Sequence, residues 1–494
     1  MRSFADANGD GNGDLRGLIE RLDHLNDGDP ATDDDLGVTG LWLMPVMESI
    51  SYHGYDVTDY RAVEPDYGSI ADMRDLVAAA HARGMAVIVD LPLNHTSIDH
   101  PWFVDSRTAG SDHDDWYVWS DSDPGYPGPD GRPAWHPADG RWYYGVFWSG
   151  MPDLNLENPD TTAELNDIAR HWLTDIGVDG FRLDGAKHLI EEGMTQVHTD
   201  ATLAWLAGFH DTVRAVDTDA LLVGEVWDST SIASRYVPDA ADAVFEFGLA
   251  AATVQAARSG VARQLAAARL EVTTAYPPGG FASFLTNHDQ ERVATSLAGA
   301  LEEVRLAARL LLTGPGTPFV YYGEEIGLTG AKPDERIRTP LPWNGRAPSA
   351  GFSDGEAWEA LEPGWETRNV ANLANDPDSL LSEYRDLIRV RGEHPALRRG
   401  TYAPLETGSD VVEAAIRVAD GETLIVISNV SEASVTDYGL EIEEGPLCGT
   451  PAATLALGEG SVTAPDVTPA GGLAGYRPLA ELPPRSVSVL VLDP

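Results

Sequence analysis

The fold expected of this chain follows from the stretch Gly177-Val-Asp-Gly-Phe-Arg-Leu-Asp-Gly-Ala-Lys-His188. Its first half alternates apolar and charged residues, which predicts a short buried β-strand. Arg182, Asp184, Lys187 and His188 cluster where that strand would run into a loop. In a parallel α/β barrel the chemistry lies on the loops after the strands, so the cluster is a candidate site. The structural alternative is an isolated surface ion pair, which contributes little to stability.

Outward from this stretch, predicted strands alternate with predicted helices, as expected for a parallel α/β sheet. Two long interruptions, 96–157 and 331–378, exceed the length of an ordinary connection. After about residue 398 helical periodicity ends, and short apolar runs between Gly and Pro turns predict an all-β region. The predicted strands are 38–46, 85–93, 178–183, 220–226, 243–249, 281–286 and 318–322, and the main predicted helices are 70–83, 161–176, 201–216, 301–313 and 380–392.

Seven predicted strands are one short of a closed (β/α)8 TIM barrel. We therefore predict such a barrel with its first strand missing from this chain, together with an inserted domain and a C-terminal β-sandwich. The predicted boundaries are 1–95 and 158–398 for the barrel, 96–157 for the insertion and 399–494 for the β-sandwich.

Acidic residues dominate the charge of the chain: 79 Asp and Glu against 33 Lys and Arg give a net charge of −46. Such a balance disfavours a nucleic-acid partner and favours neutral or cationic ligands. Only Lys187 and Lys332 are lysines. A surface this acidic repels itself in dilute buffer, and concentrated salt screens that repulsion, so we predict a halophilic protein. Cys448 is the only cysteine, which excludes an intramolecular disulfide, and no apolar run reaches the length of a membrane span.

Polar residues end four of the predicted strands. These ends are 90–95, the pair Arg182 and Asp184, Glu225, and 287–289. Because the carboxyl ends of parallel barrel strands meet at one rim, we expect these groups to converge. Glycoside hydrolysis needs one carboxylate as nucleophile and a second as general acid/base. Each acid alone is more often a solvated loop residue, but four such clusters together predict a glycosidase.

Four stretches of this sequence resemble the four signature regions of the α-amylase family, glycoside hydrolase family 13. They are Asp90-Leu-Pro-Leu-Asn-His95, Gly180-Phe-Arg-Leu-Asp184, Gly224-Glu225 and Phe284-Leu-Thr-Asn-His-Asp289. The resemblance covers essentially the whole chain, with the insertion as domain B of the family and the β-sandwich as domain C.

The resemblance implies a retaining glycosidase with Asp184 as nucleophile, Glu225 as acid/base and Asp289 as transition-state stabiliser. We expect the charge of Arg182 to hold Asp184 ionised, and partial burial to raise the pKa of Glu225. It further implies substrate contacts from Tyr55 as a stacking platform, Asp56 as a supporting carboxylate, Arg182, His95 and His288 in subsite −1, and Lys187 and His188 on the leaving-group side.

Two features bear on the substrate. Met151-Pro-Asp-Leu-Asn155 resembles a fifth family motif, in a form intermediate between oligo-1,6-glucosidases and neopullulanases. Gly185 stands where α-1,6-specific members usually carry Val, which favours α-1,4 linkages. We therefore predict a monomeric, endo-acting α-amylase that cleaves α-1,4 bonds in starch and malto-oligosaccharides. The alternatives are an α-glucosidase, a trehalose-synthase-like transglycosylase, and a non-catalytic sugar-binding homologue, which the presence of all three acids disfavours.

An acidic, glycine-rich loop at 6–14 places oxygen ligands at alternate positions, as in the first part of an EF-hand loop. Its twelfth position is Gly17 and not Glu, so it is not an EF-hand. The loop resembles the calcium loop after the first barrel strand in part of the family, although an acidic turn without metal is the alternative. Asn94 matches another calcium ligand of the family. The expected Ca²⁺ ligands are Asp6, Asn8, Asp10, Asn12 through its carbonyl, and Asp14.

The same resemblance bears on the N-terminus, because the calcium loop begins only five residues after Met1. A barrel without its first strand leaves unpaired backbone groups on the neighbouring strands. We therefore expect the coding sequence to begin further upstream, with Met1 written for a valine codon taken as the start. An export signal in that leader would favour an extracellular location, whereas without it a cytoplasmic one is expected.

Overall fold

The computed structural model describes residues 1–449 and 451–493. Its largest sheet consists of seven parallel strands that follow one another in chain order. The strands are β1 (Gly40–Leu43), β2 (Ala86–Leu91), β3 (Gly180–Leu183), β4 (Leu221–Gly224), β5 (Ala243–Phe245), β6 (Phe281–Phe284) and β7 (Thr317–Phe319). The predicted parallel sheet of a TIM barrel is confirmed, with the seven strands that the sequence pattern indicates.

The central strands are nearly continuous apolar runs because helices cover the sheet. The register of β2 against β3 places Asp90 opposite Arg182, so two charged residues face each other at the end of the sheet. The prediction for 243–249 was wrong in its second half. β5 ends at Phe245, and a helix begins at Phe247 because the amide of Ala250 bonds the carbonyl of Glu246.

Helices follow the strands as the alternation predicts, and the helix at Ile70–His81 begins with a capping box between Ser69 and Asp72. The predicted helix 161–176 is α-helical only over Pro159–His171 and ends in a π-helical turn at Trp172–Ile176. The other helices are Leu15–Glu20, Leu22–Leu25, Pro101–Ser106, Asp200–Val216, Thr230–Ala233, Phe247–Ser259, Arg263–Ala275, Val293–Ser296, Leu301–Thr313, Asp334–Ile337, Val370–Leu373, Leu380–Glu393 and Pro395–Arg399, with 3₁₀ turns at Ser234–Tyr236 and Glu324–Ile326.

The sheet is open between its first and last strands. Within 1–449 and 451–493, β1 pairs only with β2 and β7 pairs only with β6. A cavity of about 600 Å³ lies on this open side, lined by Met1, Leu41, Trp42 and Phe319 among others. The half-buried side chains of β1 and β7 therefore border a space and not another strand.

The stretch 96–157 forms a small unit over the rim of the sheet. It contains the helix Pro101–Ser106 and a three-stranded antiparallel sheet of Trp119–Ser120, Arg141–Tyr144 and Trp135–Ala138. Isolated bridges from His95 to Asp153 and from Tyr117 to Leu154 join its two ends. An antiparallel hairpin, Met47–Ser49 with Val57–Val63, follows β1. The boundaries of 96–157 as a domain remain predictions.

The C-terminal region is all-β, as predicted. Its strands are β8 (Ala403–Leu405), β9 (Val412–Ala419), β10 (Glu422–Asn429), β11 (Leu440–Glu444), β12 (Ala452–Leu457), β13 (Gly471–Tyr476) and β14 (Ser486–Asp493). Five of them form one sheet in the order β8-β9-β10-β14-β12, and β11 pairs with β13. One apolar cluster joins the two sheets, with Ile416 and Ile427 on the first and Leu440 and Leu473 on the second. Among the helices described, none has the length and apolarity needed to cross a bilayer.

Candidate active site

Arg182 lies at the centre of the candidate site, almost wholly buried at the end of β3. One of its terminal nitrogens, Nη1, is 2.6 Å from Asp184 Oδ1 and 2.9 Å from Asp90 Oδ1. The other, Nη2, is 2.7 Å from Glu225 Oε2. Three carboxyl groups from the ends of three strands therefore meet one guanidinium, whose fork geometry suits such bridging.

A glycine permits this convergence. Gly180 has φ +144°, and a Cβ atom built on it would lie 2.0 Å from the carbonyl oxygen of Leu221. Only glycine lets β3 approach β4 this closely. The pairing of Gly180 with Leu221 carries Arg182 and Leu183 alongside Val223 and Gly224, so Glu225 follows directly beside the arginine.

Tyr55 and His288 form the second side of the site. The Tyr55 hydroxyl is 3.0 Å from Asp90 Oδ2 and 2.7 Å from His288 Nε2, and the two rings are stacked. His288 Nε2 is also 3.1 Å from Asp289 Oδ2. Arg338 holds Asp289 from the opposite side, with 3.0 Å from its Nη2 to Asp289 Oδ1. A single chain of polar contacts thus runs from Asp184 through Arg182 and Tyr55 to Asp289.

Burial dominates the electrostatics of this chain of contacts. Burial raises the pKa of Asp184 well above its usual range, and the charge of Arg182 only partly offsets that rise. The expectation that the charge of Arg182 holds Asp184 ionised is therefore corrected, because burial has the larger effect on its pKa. Burial also raises the pKa of Asp90 to about 6, while burial and the Arg182 charge lower the pKa of His288 well below its usual value. One guanidinium cannot neutralise three carboxylates, so the cluster competes for protons.

The side of the site next to Glu225 carries further contacts. The backbone N–H of Gly185 donates to Glu225 Oε2 at 3.1 Å. Lys187 Nζ donates to the carbonyl of Trp227 at 2.7 Å. The Trp227 indole is about half exposed and stacks on Phe247 with ring centroids 4.4 Å apart. Lys187 therefore lies beside the loop that follows Glu225.

His95 and His188 both pack against Phe147 of the inserted unit, with ring centroids 5.1 and 5.3 Å from it. Burial lowers the pKa of His95 to about 3 and that of His188 to about 4, so both rings are neutral at pH 7. His95 Nε2 and His188 Nδ1 are buried with no protein partner. Each ring therefore keeps one nitrogen that the protein does not satisfy.

Asp56 differs from the other predicted contacts. It is buried, and its Oδ1 accepts hydrogen bonds from the hydroxyl of Ser51 at 2.5 Å and the amide of Ser51 at 3.3 Å. The structure gives it no contact with Asp184, Glu225 or Asp289. Its visible role is to hold the turn that carries Tyr55.

In the predicted calcium loop, many side-chain oxygens accept hydrogen bonds from backbone amides of the same loop. Asp6 accepts hydrogen bonds from the amides of residues 8, 9 and 11, and Asp14 accepts from those of residues 7, 8 and 17. Asn8 Oδ1 and Asp10 Oδ1 each accept from the amide two residues on, and Asn12 Nδ2 donates to Asp66. The oxygen donors suit a hard cation, but the loop satisfies many of them internally. Over the described residues, no group of three or more His, Cys, Asp and Glu side chains is arranged to hold a metal ion.

Two buried oxygens without a protein partner lie where the sheet meets the inserted unit. Asn94 Oδ1 and Asp153 Oδ2 are buried and have no hydrogen-bond partner in the protein. Burial, and then the charge of Glu191, raises the pKa of Asp153 well above its usual range. Orphaned buried oxygens of this kind fit a bound cation, because a cation would satisfy both.

Sequence reasoning assigned no role to several residues of the site. Asp90 begins a quoted motif and ends a strand, so its position alone could have indicated its contact with Arg182. Arg338 lies in the long loop 331–378, where no periodicity or motif points to it, and only the fold brings it to Asp289. Four further contributors were not foreseen. They are Phe147, Trp227, His198 and Asp334, and the last of these pairs with Arg338.

A parallel half-barrel with a carboxylate cluster at the carboxyl ends of its strands defines a sugar-cleaving enzyme of the glycoside hydrolase class. The pattern described as "Alpha amylase, catalytic domain" matches residues 1–400. The chain belongs to the α-amylase family, glycoside hydrolase family 13, and the predicted resemblance is confirmed.

Relatives within the family differ in activity. The chain is 35% identical to "Alpha-amylase 3" of Dictyoglomus thermophilum, over 90% of this chain and 86% of the relative. It is 33% identical to "4-alpha-glucanotransferase" of Thermotoga maritima, over 81% and 87%. It is 31% identical to "Trehalose synthase/amylase TreS" of Mycobacterium tuberculosis (strain H37Rv), over 87% and 80%.

Among solved structures, the chain is similar to "alpha-amylase from H.orenii". The TM-score is 0.86 and the identity 39%, over 100% of this chain and 98% of that one. These comparisons therefore show the family. The choice between hydrolysis and transfer has to be argued from the geometry of the site.

Proposed function

We propose that this protein is a retaining, endo-acting α-amylase that hydrolyses α-1,4-glucosidic bonds in starch and malto-oligosaccharides. The observation that carries the proposal is the pair Asp184 and Glu225, each bonded to one end of the Arg182 guanidinium. A close carboxyl pair suits double displacement, in which the acids of retaining enzymes lie about 5–5.5 Å apart.

In the proposed reaction Asp184 attacks the anomeric carbon while Glu225 protonates the glycosidic oxygen, and the leaving sugar departs. A covalent glycosyl ester with Asp184 results. Glu225, now ionised, takes a proton from water, whose oxygen attacks the anomeric carbon and releases Asp184. Asp289, held by Arg338, faces the positive charge that develops on the sugar.

The α-1,4 preference has its own support. Gly185 has φ +50°, and a Cβ atom built there would lie 2.9 Å from Phe147 Cζ. A β-branched residue would be strained in this backbone conformation and would meet the Phe147 ring. The position therefore excludes the Val that α-1,6-specific members usually carry.

The reaction and its products are tested together. Wild type should release a range of malto-oligosaccharides from soluble starch early in the digest, whereas glucose alone would indicate an α-glucosidase, and trehalose from maltose a transglycosylase. Asp184→Asn should lower kcat by about 10⁴-fold or more, because the amide cannot form the ester. Asp167→Asn, the same change at an exposed carboxylate on the helix Pro159–His171, is the control. An Asp184→Asn rate within about tenfold of wild type would refute the nucleophile.

Calcium remains a proposal with two candidate places. The first is the loop of Asp6, Asn8, Asp10, Asn12 and Asp14, and the second is the place next to Asn94 and Asp153 (with Glu191). A cation at either would stabilise the folded protein by mass action and take no part in the chemistry.

We expect chelation to lower Tm, and calcium to restore it. Asp10→Ala and Asp153→Asn decide which place binds the ion, because only the variant of the true site should lose the calcium dependence of Tm. If both variants keep it, neither place is a calcium site. The halophilic character of the surface likewise stays a prediction, to be read from activity against salt concentration.

A further inference from the structure

Three buried arginines lie where the parallel sheet and its helices pack against the C-terminal β region. Arg269 belongs to the helix Arg263–Ala275, Arg391 to the helix Leu380–Glu393, and Arg417 to β9. None of the three is more than 6% exposed. In the parts of the chain that the structure describes, only Arg269 bonds a carboxylate, that of Glu413. This junction therefore carries more positive than negative charge, although the whole chain has a net charge of −46.

Arg391 is satisfied as a hydrogen-bond donor but not as a charge. Its Nη1 donates to the carbonyls of Leu312 and Gly314, at 2.9 Å each, and its Nη2 donates to the carbonyl of Gly316. These carbonyls lie at the C-terminal end of a helix, where the helix dipole supplies about half of one negative charge. The remaining positive charge has no counter-ion in the described residues.

Arg417 has donors to spare as well as charge. Its Nε donates to the carbonyl of Thr401 at 3.0 Å, and its Nη2 donates to those of Leu397 and Gly400 at 3.2 and 3.3 Å. Its Nη1 is buried and has no partner among the residues that the structure describes. Each terminal nitrogen of a guanidinium carries two N–H groups, and buried donors of this kind are almost always bonded in folded proteins.

The acids next to Arg417 are already engaged. Glu413 shares a face of β9 with Arg417, because the two are four residues apart in one strand. Both oxygens of Glu413 are bonded, Oε2 by Arg269 and Oε1 by the Tyr402 hydroxyl. Both oxygens of Glu422, the first residue of β10, are likewise bonded, one by a histidine ring and one by a backbone amide. A partner for Arg417 Nη1 therefore has to come from solution.

Loss of a proton does not remove the excess charge. Burial, and then the charges of Arg417 and Arg398, lower the pKa of Arg391 to about 9. Burial, and then the charge of Arg269, lower the pKa of Arg417 to about 10. Both pKa values lie above 7, so both guanidinium groups stay charged at neutral pH. Buried charges of this kind require a partner of opposite sign.

We propose that this junction binds chloride from solution, held by Nη1 of Arg417 and attracted by the charge of the neighbouring Arg391. A small monovalent ion suits a buried edge with two N–H groups, whereas phosphate would bring more oxygens than the edge has donors. Arg391 bonds Gly316, directly before β7, so the site lies at the opposite end of the sheet from the acids of the active site. The ion would fasten the C-terminal region to the barrel, independently of the proposed function.

The first experiment measures chloride-specific stabilisation of the whole chain. Sodium gluconate is replaced stepwise by sodium chloride at constant ionic strength, so screening of the acidic surface stays the same while the small anion changes. The Tm of wild type should rise by about 2–4 °C and then level off, as expected for an ion that binds only the folded protein. A Tm that does not respond to chloride overturns the proposal.

Substitutions locate the effect. Arg417→Met removes the guanidinium but keeps an unbranched side chain, so the chloride-dependent rise of Tm should disappear. Arg399→Met is the matched control, because Arg399 ends the helix Pro395–Arg399 beside the junction but is exposed and paired with Asp420. This control should keep the full rise. A rise that persists in Arg417→Met, or that is lost equally in Arg399→Met, contradicts the site.

A second measurement does not depend on the folding of a variant. Bromide replaces chloride and scatters X-rays anomalously, so a wild-type crystal soaked in sodium bromide should show an anomalous peak beside Arg417 Nη1. A soaked crystal without that peak overturns the proposal. A peak without any chloride-dependent rise of Tm marks an adventitious ion only, and it overturns the proposal as well.

Discussion

Two buried arginines in this protein meet carboxylates in opposite ways. Arg182, at the rim of the sheet, faces three acids, two of which remain partly open to solvent. Arg269, between the sheet and the C-terminal region, faces one: its Nη1 is 2.6 Å from Glu413 Oε2, and its Nη2 donates to the carbonyl of Leu310. Both arginine side chains are almost wholly removed from water.

The two sites differ in how many carboxylates bond the buried arginine. At Arg269 a single carboxylate bonds the guanidinium, and the Tyr402 hydroxyl donates to the remaining oxygen of Glu413, so both oxygens of that carboxylate are satisfied within the protein. At Arg182 the acids outnumber the cation, and burial raises the pKa of Asp184 and Asp90. Excess acid around one buried cation leaves protons and lone pairs for chemistry, whereas a matched pair only stabilises. The comparison predicts separate consequences for activity and for stability.

The largest effect is expected at the rim. Arg182→Lys replaces a fork that reaches three carboxyls with a single ammonium, so kcat on maltoheptaose should fall by about 10²–10³-fold or more. Steady-state kinetics measure it, with circular dichroism to confirm folding. Arg391→Lys is the control, because Arg391 is equally buried but donates only to carbonyl groups near the end of the helix Leu301–Thr313. If Arg182→Lys lowers kcat by less than about tenfold, Arg182 has no catalytic role that sets it apart from Arg269.

The next effect is on stability alone. Glu413→Gln leaves the Arg269 charge buried without its counter-ion, which should lower the free energy of unfolding by about 3–5 kcal/mol. Activity at a temperature where the protein stays folded should remain near wild type. Asp410→Asn disrupts the neighbouring Arg263 pair, which is exposed, and should leave the free energy of unfolding close to that of wild type. Equal losses for the two variants would contradict the role of burial.

The smallest effect is expected at a buried acid, Glu324, to which no arginine is bonded directly. Glu324 is buried, accepts a hydrogen bond from Tyr384 at 2.8 Å, and has its pKa raised to about 8 by burial. Its folded pKa exceeds its unfolded one, so its contribution to stability is complete below about pH 4.5 and is lost as the pH rises to about 8. Glu324→Gln should therefore gain about 2–4 kcal/mol relative to wild type between pH 5 and pH 8.

Thermal unfolding of both proteins across that pH range measures the difference. Tyr384→Phe is the control, since it removes the hydrogen bond but keeps the acid, and its stability should still fall with rising pH. If the gap between wild type and Glu324→Gln does not change with pH, the Glu324 carboxyl titrates normally.

Much of the fold was predictable because its signals are local. The apolar run of β2 and the capped helix that precedes it depend on neighbours in the chain, and both lie within a few residues of the prediction. The errors occurred where tertiary contacts override the pattern, as at Glu246, where a helix replaces the end of the predicted strand. Asp184 and Glu225 were predictable because each directly follows a strand, and Asp289 because it lies in the polar stretch 287–289 soon after β6; their roles remain proposals.

The sequence by itself determined the order of strands and helices, the acidic surface and the strand ends at which charge appears, because periodicity and composition are properties of the chain. Only the tertiary structure decided which charges meet. Arg338 reaches Asp289 from 49 residues away, and Phe147 reaches His95 and His188 from the inserted unit. Burial likewise shifts the pKa of Asp184 against the effect of its neighbouring arginine, because desolvation depends on everything packed around a group and not on the residues beside it in sequence.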